Sequence, residues 1–170
     1  MGVIDRDTAI LTATFGAGCF WKTEDVFRTL PGVIQTSVGY MGGHFENPGY
    51  LDVLSRITGH AEVAQIEYDP AQVSYETLLD TFWHMHDPTS LNRQGADRGE
   101  QYRSIVFYHA DWQGQLARQA KTKLDQSARY DKPIVTAIEP AGAYWLATAD
   151  HQQYLEKQRS RGKRGAPETV

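Results

Sequence analysis

Segments with a two-residue apolar period and segments with a three-to-four-residue period follow one another along this chain without strict alternation. That order restricts the fold more than any other feature of the sequence. "AILTATF" has the pattern of a strand. A glycine turn at Gly16 to Gly18 leads from it into a helix from about Phe20 to Leu30, with Glu24 and Asp25 suited to its first turn and Pro31-Gly32 ending it. "GVIQTSVGY" alternates as a second strand, "MGGHFENPGY" is rich in turn formers, and "HAEVAQIEYDP" is a third strand that turns at Asp69-Pro70. Ser74 caps a helix in which Tyr75, Leu78, Leu79, Phe82, Met85 and His86 recur at steps of three and four, giving one apolar face. After the long polar loop "DPTSLNRQGADRGEQ" come a strand, "YRSIVFYH", a helix from Asp111 to Ala128 with Trp112, Leu116, Ala120 and Leu124 turned inward, and a fifth strand, "PIVTAIEP". Strict alternation would point to a doubly wound parallel sheet. Neighbouring strands able to form hairpins predict instead an α+β fold of two layers, a mixed sheet with helices packed on it.

A chain of 170 residues with 41% hydrophobic and 22% charged residues fits one domain whose core needs no disulfide or metal. The expected boundaries are a single domain over residues 1–155 and a basic, flexible tail over 156–170, "EKQRSRGKRGAPETV". The formal charge of -4 repels nucleic acid and anionic lipid over most of the surface, and the tail has no aromatic residue interleaved for base stacking. No stretch approaches the ~20 apolar residues of a membrane span. The N-terminus lacks the basic then continuously apolar pattern of a secretory signal. One cysteine closes no internal disulfide, so the expectation is a cytoplasmic monomer with neither nucleic acid nor membrane as partner.

That cysteine, Cys19, stands in "GAGCFW" between a strand and a helix. A sulfur at a helix N-terminus faces free N–H groups and the positive end of the macrodipole, which favour the nucleophilic thiolate. Gly16 and Gly18 clear the approach, and Phe20 and Trp21 offer apolar walls that serve equally as core packing. The glycine pair is not a dinucleotide fingerprint, because Trp21 stands where the third glycine belongs.

In "GHAEVAQIEYDP" the two-residue period places Glu62 with Ala64, Ile66 and Tyr68 on the more apolar side. Burial raises a carboxyl pKa and leaves an acid able to donate a proton near neutrality, unless Arg56 or Arg103 pairs with it. His60 shares that parity, as a turn histidine or a base. "HMHD" has two histidines two positions apart, which do not face together on a helix, and no metal site is expected.

The segments "GCFW", "GYMGG", "NPGY", "TGHAE", "YDP", "HDPT", "NRQGADRGEQYRS" and "DHQQYL" occur in one order over residues 13–155 and together resemble the A-type peptide methionine sulfoxide reductases. The resemblance implies reduction of the S epimer of methionine sulfoxide, free or in proteins, on a split βαβ (ferredoxin-like) core, with no bound cofactor. Cys19 matches the family nucleophile, Glu62 the proton donor, and Phe20 and Trp21 the walls around the substrate methyl group. Tyr50, Asp97 and Tyr102 match the polar residues around the sulfoxide. The cysteine would become a sulfenic acid.

Many relatives carry further cysteines that resolve this acid as a disulfide. This chain has none, so its reductant must be an external thiol: thioredoxin, glutathione with a glutaredoxin, or another small thiol. Arg56, just before "TGH", brings a charge whose role the sequence leaves open. Two alternatives stand beside the reductase: a cysteine acyl transferase or hydrolase using Cys19 with His60 and Asn92 or Asp97, and a non-catalytic binding module.

Overall fold

The computed structural model describes residues 9–164; the first eight residues, part of the stretch read for a signal, and residues 165–170 of the expected tail lie outside them. In chain order the elements are β1 (Leu11–Ala17), α1 (Phe20–Arg28), β2 (Val33–Met41), α2 (Tyr50–Leu54), β3 (Ala61–Tyr68), α3 (Tyr75–Met85), β4 (Arg93–Gln94), β5 (Asp97–Arg98), β6 (Ser104–Tyr108), α4 (Asp111–Gln126), β7 (Ala137–Pro140), β8 (Trp145–Leu146) and α5 (Tyr154–Arg164). Short 3-10 turns cover Glu100–Tyr102 and Ala149–His151.

Among the described residues the main sheet has the order β7-β6-β1-β3-β2-β8. β1 and β2 both run antiparallel to β3, which lies between them, so they are parallel to one another and α1 is the crossover of a split βαβ unit. β6 and β7 are parallel, which makes the sheet mixed. The expected α+β architecture is the one observed.

β3 is central and buried along most of its length on both faces, with Glu62, Gln65 and Glu67 interrupting its apolar residues. Ile66 and Tyr68 face a core in which Phe15 stacks on Phe27 and Phe82, each pair with centroids 5.1 Å apart. Ala61 and Val63 face the other way, against Met41, Ile105 and Phe107. Burying each such Phe stabilises the fold by roughly 1.5–3 kcal/mol. α3 begins where the sequence predicts, with the Thr77 N–H donating to the Ser74 hydroxyl at 3.1 Å.

Four expectations need correction. Trp112 is not turned inward: it is 43% exposed and meets only the edge of Tyr75, because α4 buries Gln113, Gly114 and Ala117 instead. Gln113 is held inward by donating to the Thr12 carbonyl and accepting from the His109 N–H, while Leu116, Ala120 and Leu124 pack against the core as expected. The polar loop contains the β4–β5 hairpin, turned at Gly95 with φ +59°, and Gln94 braces it by donating to the Asp87 carbonyl and accepting the Asp87 N–H. Helix α1 starts with no acid in its first turn. Glu24 is instead buried, accepting the Thr36 hydroxyl at 2.8 Å and the Gln153 N–H at 2.6 Å. Finally, the expected start of the tail at residue 156 falls inside α5, which docks on α1 through Arg28–Glu156 at 3.1 Å and through Arg159–Asp25.

Candidate active site

β1 delivers the chain to the site and Gly18 turns it. Gly18 has φ +91°, a conformation that L side chains avoid, and a Cβ there would press on the Gln94 side chain at 2.9 Å. Gly16 is packed as closely, its missing Cβ lying 2.7 Å from Ile105 Cγ2. Cys19 then caps α1, its carbonyl accepting the N–H groups of Lys22 at 3.2 Å and Thr23 at 3.3 Å. The cysteine is partly exposed.

Glu62 comes from the middle of the sheet, opposite Tyr40 in the β2–β3 register and 2% exposed. Its Oε1 accepts the N–H of Phe20, the residue after Cys19, at 3.2 Å. Burial raises this carboxyl from 4.5 to about 7; the Phe20 N–H opposes the rise and the charge of Asp97 adds to it. Neither arginine considered from the sequence pairs with it. Arg56 donates to the Arg98 carbonyl at 2.9 Å, and Arg103 donates to the carbonyls of Gly59 and Glu100. Neither arginine therefore holds the Glu62 carboxyl in its ionised form.

The thiolate expected from the helix start is disfavoured. Burial first, and the Glu62 charge second, push the Cys19 thiol up to about 11, against the smaller pull of the Trp21 and Lys22 N–H groups. A nine-residue helix gives too small a field to outweigh that desolvation. At neutral pH the resting pair is a thiol beside a carboxyl near its own midpoint. A protonated Glu62 removes the repulsion that disfavours the thiolate.

The remaining site residues gather around these two. Tyr50 opens α2 and Tyr102 ends the 3-10 turn before β6; both phenols are raised by burial and then by the charge of Glu62, Tyr102 to about 12, so both are hydrogen-bond donors at neutral pH. Asp97 lies exposed on β5 at the same mouth. Phe20 is buried against Tyr40 with centroids 5.7 Å apart, and Trp21 stands beside it at 6.5 Å. Trp21 is gripped from the far end of the chain: Tyr154 stacks on it at 3.9 Å and 15°, and its indole N–H donates to His151 Nδ1 at 3.1 Å. His151 also packs on Tyr50 at 4.5 Å. His151, Tyr154 and Tyr40 are missed by residue-level reading, and only "DHQQYL" and "GYMGG" in the resemblance point toward them.

His60 is a structural clip. Its Nδ1 accepts the Gly43 N–H at 2.9 Å and its Nε2–H donates to the Phe45 carbonyl at 2.7 Å, so neither nitrogen is left to act on Cys19. The acyl-transfer arrangement loses its base. In "HMHD", His84 turns to the Asp80 carbonyl while His86 bridges the Phe82 carbonyl and the Ser104 hydroxyl. Among the described residues no group of three metal-binding side chains comes together. Cys19 also borders a cavity of about 450 Å³ between α1, the end of α3 and the β4–β5 hairpin.

Comparison with known proteins follows the same lines. The family model described as "Peptide methionine sulfoxide reductase" matches residues 11–168. A peptide methionine sulfoxide reductase MsrA 1 from a Nostoc species is 64% identical over 149 residues, which is 88% of this chain and 91% of that protein. Reduced Mxr1 of Saccharomyces cerevisiae superposes with a TM-score of 0.83 at 33% identity, covering 88% of this chain and 86% of that one. Mxr1 in complex with Trx2 matches at a TM-score of 0.61 and 25% identity, over 91% and 90% of the two chains.

Proposed function

This chain belongs to the peptide methionine sulfoxide reductase family and reduces methionine sulfoxide in the repair of oxidised proteins, and from that premise we propose how its own residues do so. Cys19 is the nucleophile and Glu62 the acid. A sulfoxide sulfur is electrophilic, but its oxygen leaves poorly unless protonated. Glu62 gives its proton to that oxygen while Cys19 attacks the sulfur, forming an S–S bond as the oxygen leaves as water with the Glu62 and thiol protons. Water then adds to the Cys19 sulfur, the S–S bond breaks to release the thioether, and the proton shed by that water restores Glu62. The balance is Cys19–SH plus sulfoxide giving Cys19–SOH plus thioether, with no net proton taken up.

One observation carries this assignment: the Glu62 carboxyl is buried, forms no ion pair among the described residues, and is hydrogen-bonded to the N–H directly after Cys19. Tyr50 and Tyr102 donate to the sulfoxide oxygen, and Phe20 and Trp21 receive the S-methyl group, which suits an aromatic wall. With oxygen and methyl held on opposite sides and the rest of the substrate leading outward, only one configuration at sulfur fits; the S epimer is the proposed one.

The sole cysteine leaves the sulfenic acid to an external thiol. The complex of Mxr1 with Trx2 supports a thioredoxin-type reductant as one source. Among the described residues no helix is long and apolar enough to cross a membrane; a cytoplasmic, monomeric enzyme is the proposal.

Without reductant, one mole of enzyme is expected to release about one mole of methionine, leaving a trappable sulfenic acid on Cys19. Release of two, or none, refutes the scheme.

A further inference from the structure

Trp21 is one wall of the methyl site, yet the core does not fix its ring, which is only half-buried. What holds it comes from residues 151–154, four consecutive positions that each close a different contact. His151 accepts the indole N–H, and Tyr154 stacks on the indole face. Between them, the Gln152 side-chain amide clips onto both backbone groups of Val38, at 2.8 Å each. Gln153 is exposed and gives only its backbone N–H, to Glu24 at 2.6 Å. We infer that Glu24 is a positioning residue for methionine sulfoxide: by capturing the Gln153 N–H it sets the 151–154 segment, and through that segment the orientation of the Trp21 wall. The inference rests on the role given above to Trp21.

Glu24 lies three residues after Trp21 and four after Phe20, so α1 puts it on the same side as both walls. It is 1% exposed and forms no ion pair among the described residues, so its acceptor capacity goes to two hydrogen bonds. Oε2 takes the Thr36 hydroxyl of β2 at 2.8 Å, and Oε1 takes the Gln153 N–H. One carboxyl thus ties α1, β2 and the start of α5 together. Its removal strands the Thr36 hydroxyl and the Gln153 N–H, and unmade bonds of this kind are costly enough to move a backbone segment.

The chain at Gln153 needs such an anchor. Its φ is +51°, in the left-handed region where an L side chain is crowded, and its exposed side chain has no packing to hold it there. The same residue opens α5: its carbonyl accepts the Lys157 N–H at 3.0 Å, and a carboxyl at that end of a helix is favoured by the dipole. The turn at Gln153 therefore fixes both where α5 begins and where Tyr154 meets Trp21.

The other ties between α5 and α1 do less. Arg28–Glu156 and Arg159–Asp25 lie at the surface beyond Tyr154, where ion pairs contribute little.

The test is single-turnover release of methionine without reductant, followed across methionine sulfoxide concentrations to give a half-saturating concentration and a limiting rate. Glu24→Ala is expected to raise the first by roughly tenfold and to change the second by less than about threefold, the split expected of lost binding. The decline of the rate above about pH 7 should stay where Glu62 puts it. Glu24→Gln, whose amide oxygen accepts the Gln153 N–H while its amide nitrogen donates to Thr36, should restore the unmodified value. Arg159→Ala should leave that value unchanged. Should the alanine variant fail to fold, Glu24→Asp withdraws the same carboxyl by one methylene and is expected to raise the half-saturating concentration too. Combined with His151→Ala, the effect of Glu24→Ala should be less than the product of the two, because both act through one grip. An unchanged half-saturating concentration in the alanine or aspartate variant, a shifted pH profile, an equal rise in Arg159→Ala, or a full product in the double variant overturns the inference. Failure of the reading beneath looks different: Trp21→Ala would then bind methionine sulfoxide as the unmodified protein does.

Discussion

Glu62→Gln is expected to make this protein more stable and less active, by amounts that depend on pH in opposite senses. In the unfolded chain the carboxyl ionises near 4.5, and in the fold it does so near 7. Below about pH 4.5 both states carry the proton, and the group costs nothing. As pH rises toward 7 the unfolded chain releases its proton while the native state retains it, so native stability falls, and the loss is complete a little above pH 7. At 1.36 kcal/mol per pH unit, the rise from 4.5 to about 7 corresponds to about 3 kcal/mol. Solvent screening does not reduce this much, since the side chain is 2% exposed. Glutamine has the same shape, is neutral, and still accepts the Phe20 N–H, so the variant escapes the penalty. Denaturant unfolding at pH 5 and pH 8, analysed with a common m-value, should show the variant gaining little at pH 5 and roughly 2–3 kcal/mol at pH 8. In the same variant, single-turnover release of methionine should slow by about 10²–10⁴-fold, the usual worth of a positioned acid. A stability difference that does not change between the two pH values would show that Glu62 is not buried as a charge, and the whole electrostatic account of the site would fail with it.

Three further outcomes follow from the same geometry. The single-turnover rate of the unmodified enzyme should decline above about pH 7 as Glu62 loses the proton it must donate; a flat profile to pH 9 would contradict it. In Glu62→Gln the thiol of Cys19 should titrate below its present value of about 11, because the second largest cause of its elevation is gone, and alkylation by iodoacetamide across pH reads this directly. His151→Ala should raise KM for methionine sulfoxide several-fold while changing the pH profile little, because it frees Trp21 without touching the acid; a shifted profile with unchanged KM would assign His151 another role.

Much of this site is legible in the linear chain because it rests on local regularities. A glycine turn between a strand and a helix puts Cys19 at a helix start wherever the helix lies, and a two-residue period puts Glu62 with Ala64 and Ile66 on one side of β3 whatever covers that side. Trp112 shows where such reasoning stops. Helical spacing marked it as inward with Leu116, Ala120 and Leu124; those three do pack against the core, but at the start of α4 Gln113, hydrogen-bonded to Thr12 and His109, is the residue buried and Trp112 is left at the surface. The grip on Trp21 was hidden for the same reason, since His151 lies 130 residues away and a stacked contact leaves no local signature.

What the amino-acid order determined alone was the class of fold, the strand that carries the acid and the turn that presents the sulfur, each a consequence of backbone periodicity and glycine stereochemistry. Tertiary packing decided the charge states. Whether Cys19 rests as thiol or thiolate, and whether Glu62 holds its proton at neutral pH, depends on how much water is excluded by the elements that assemble around them, and desolvation belongs to the assembled volume rather than to any segment of the chain.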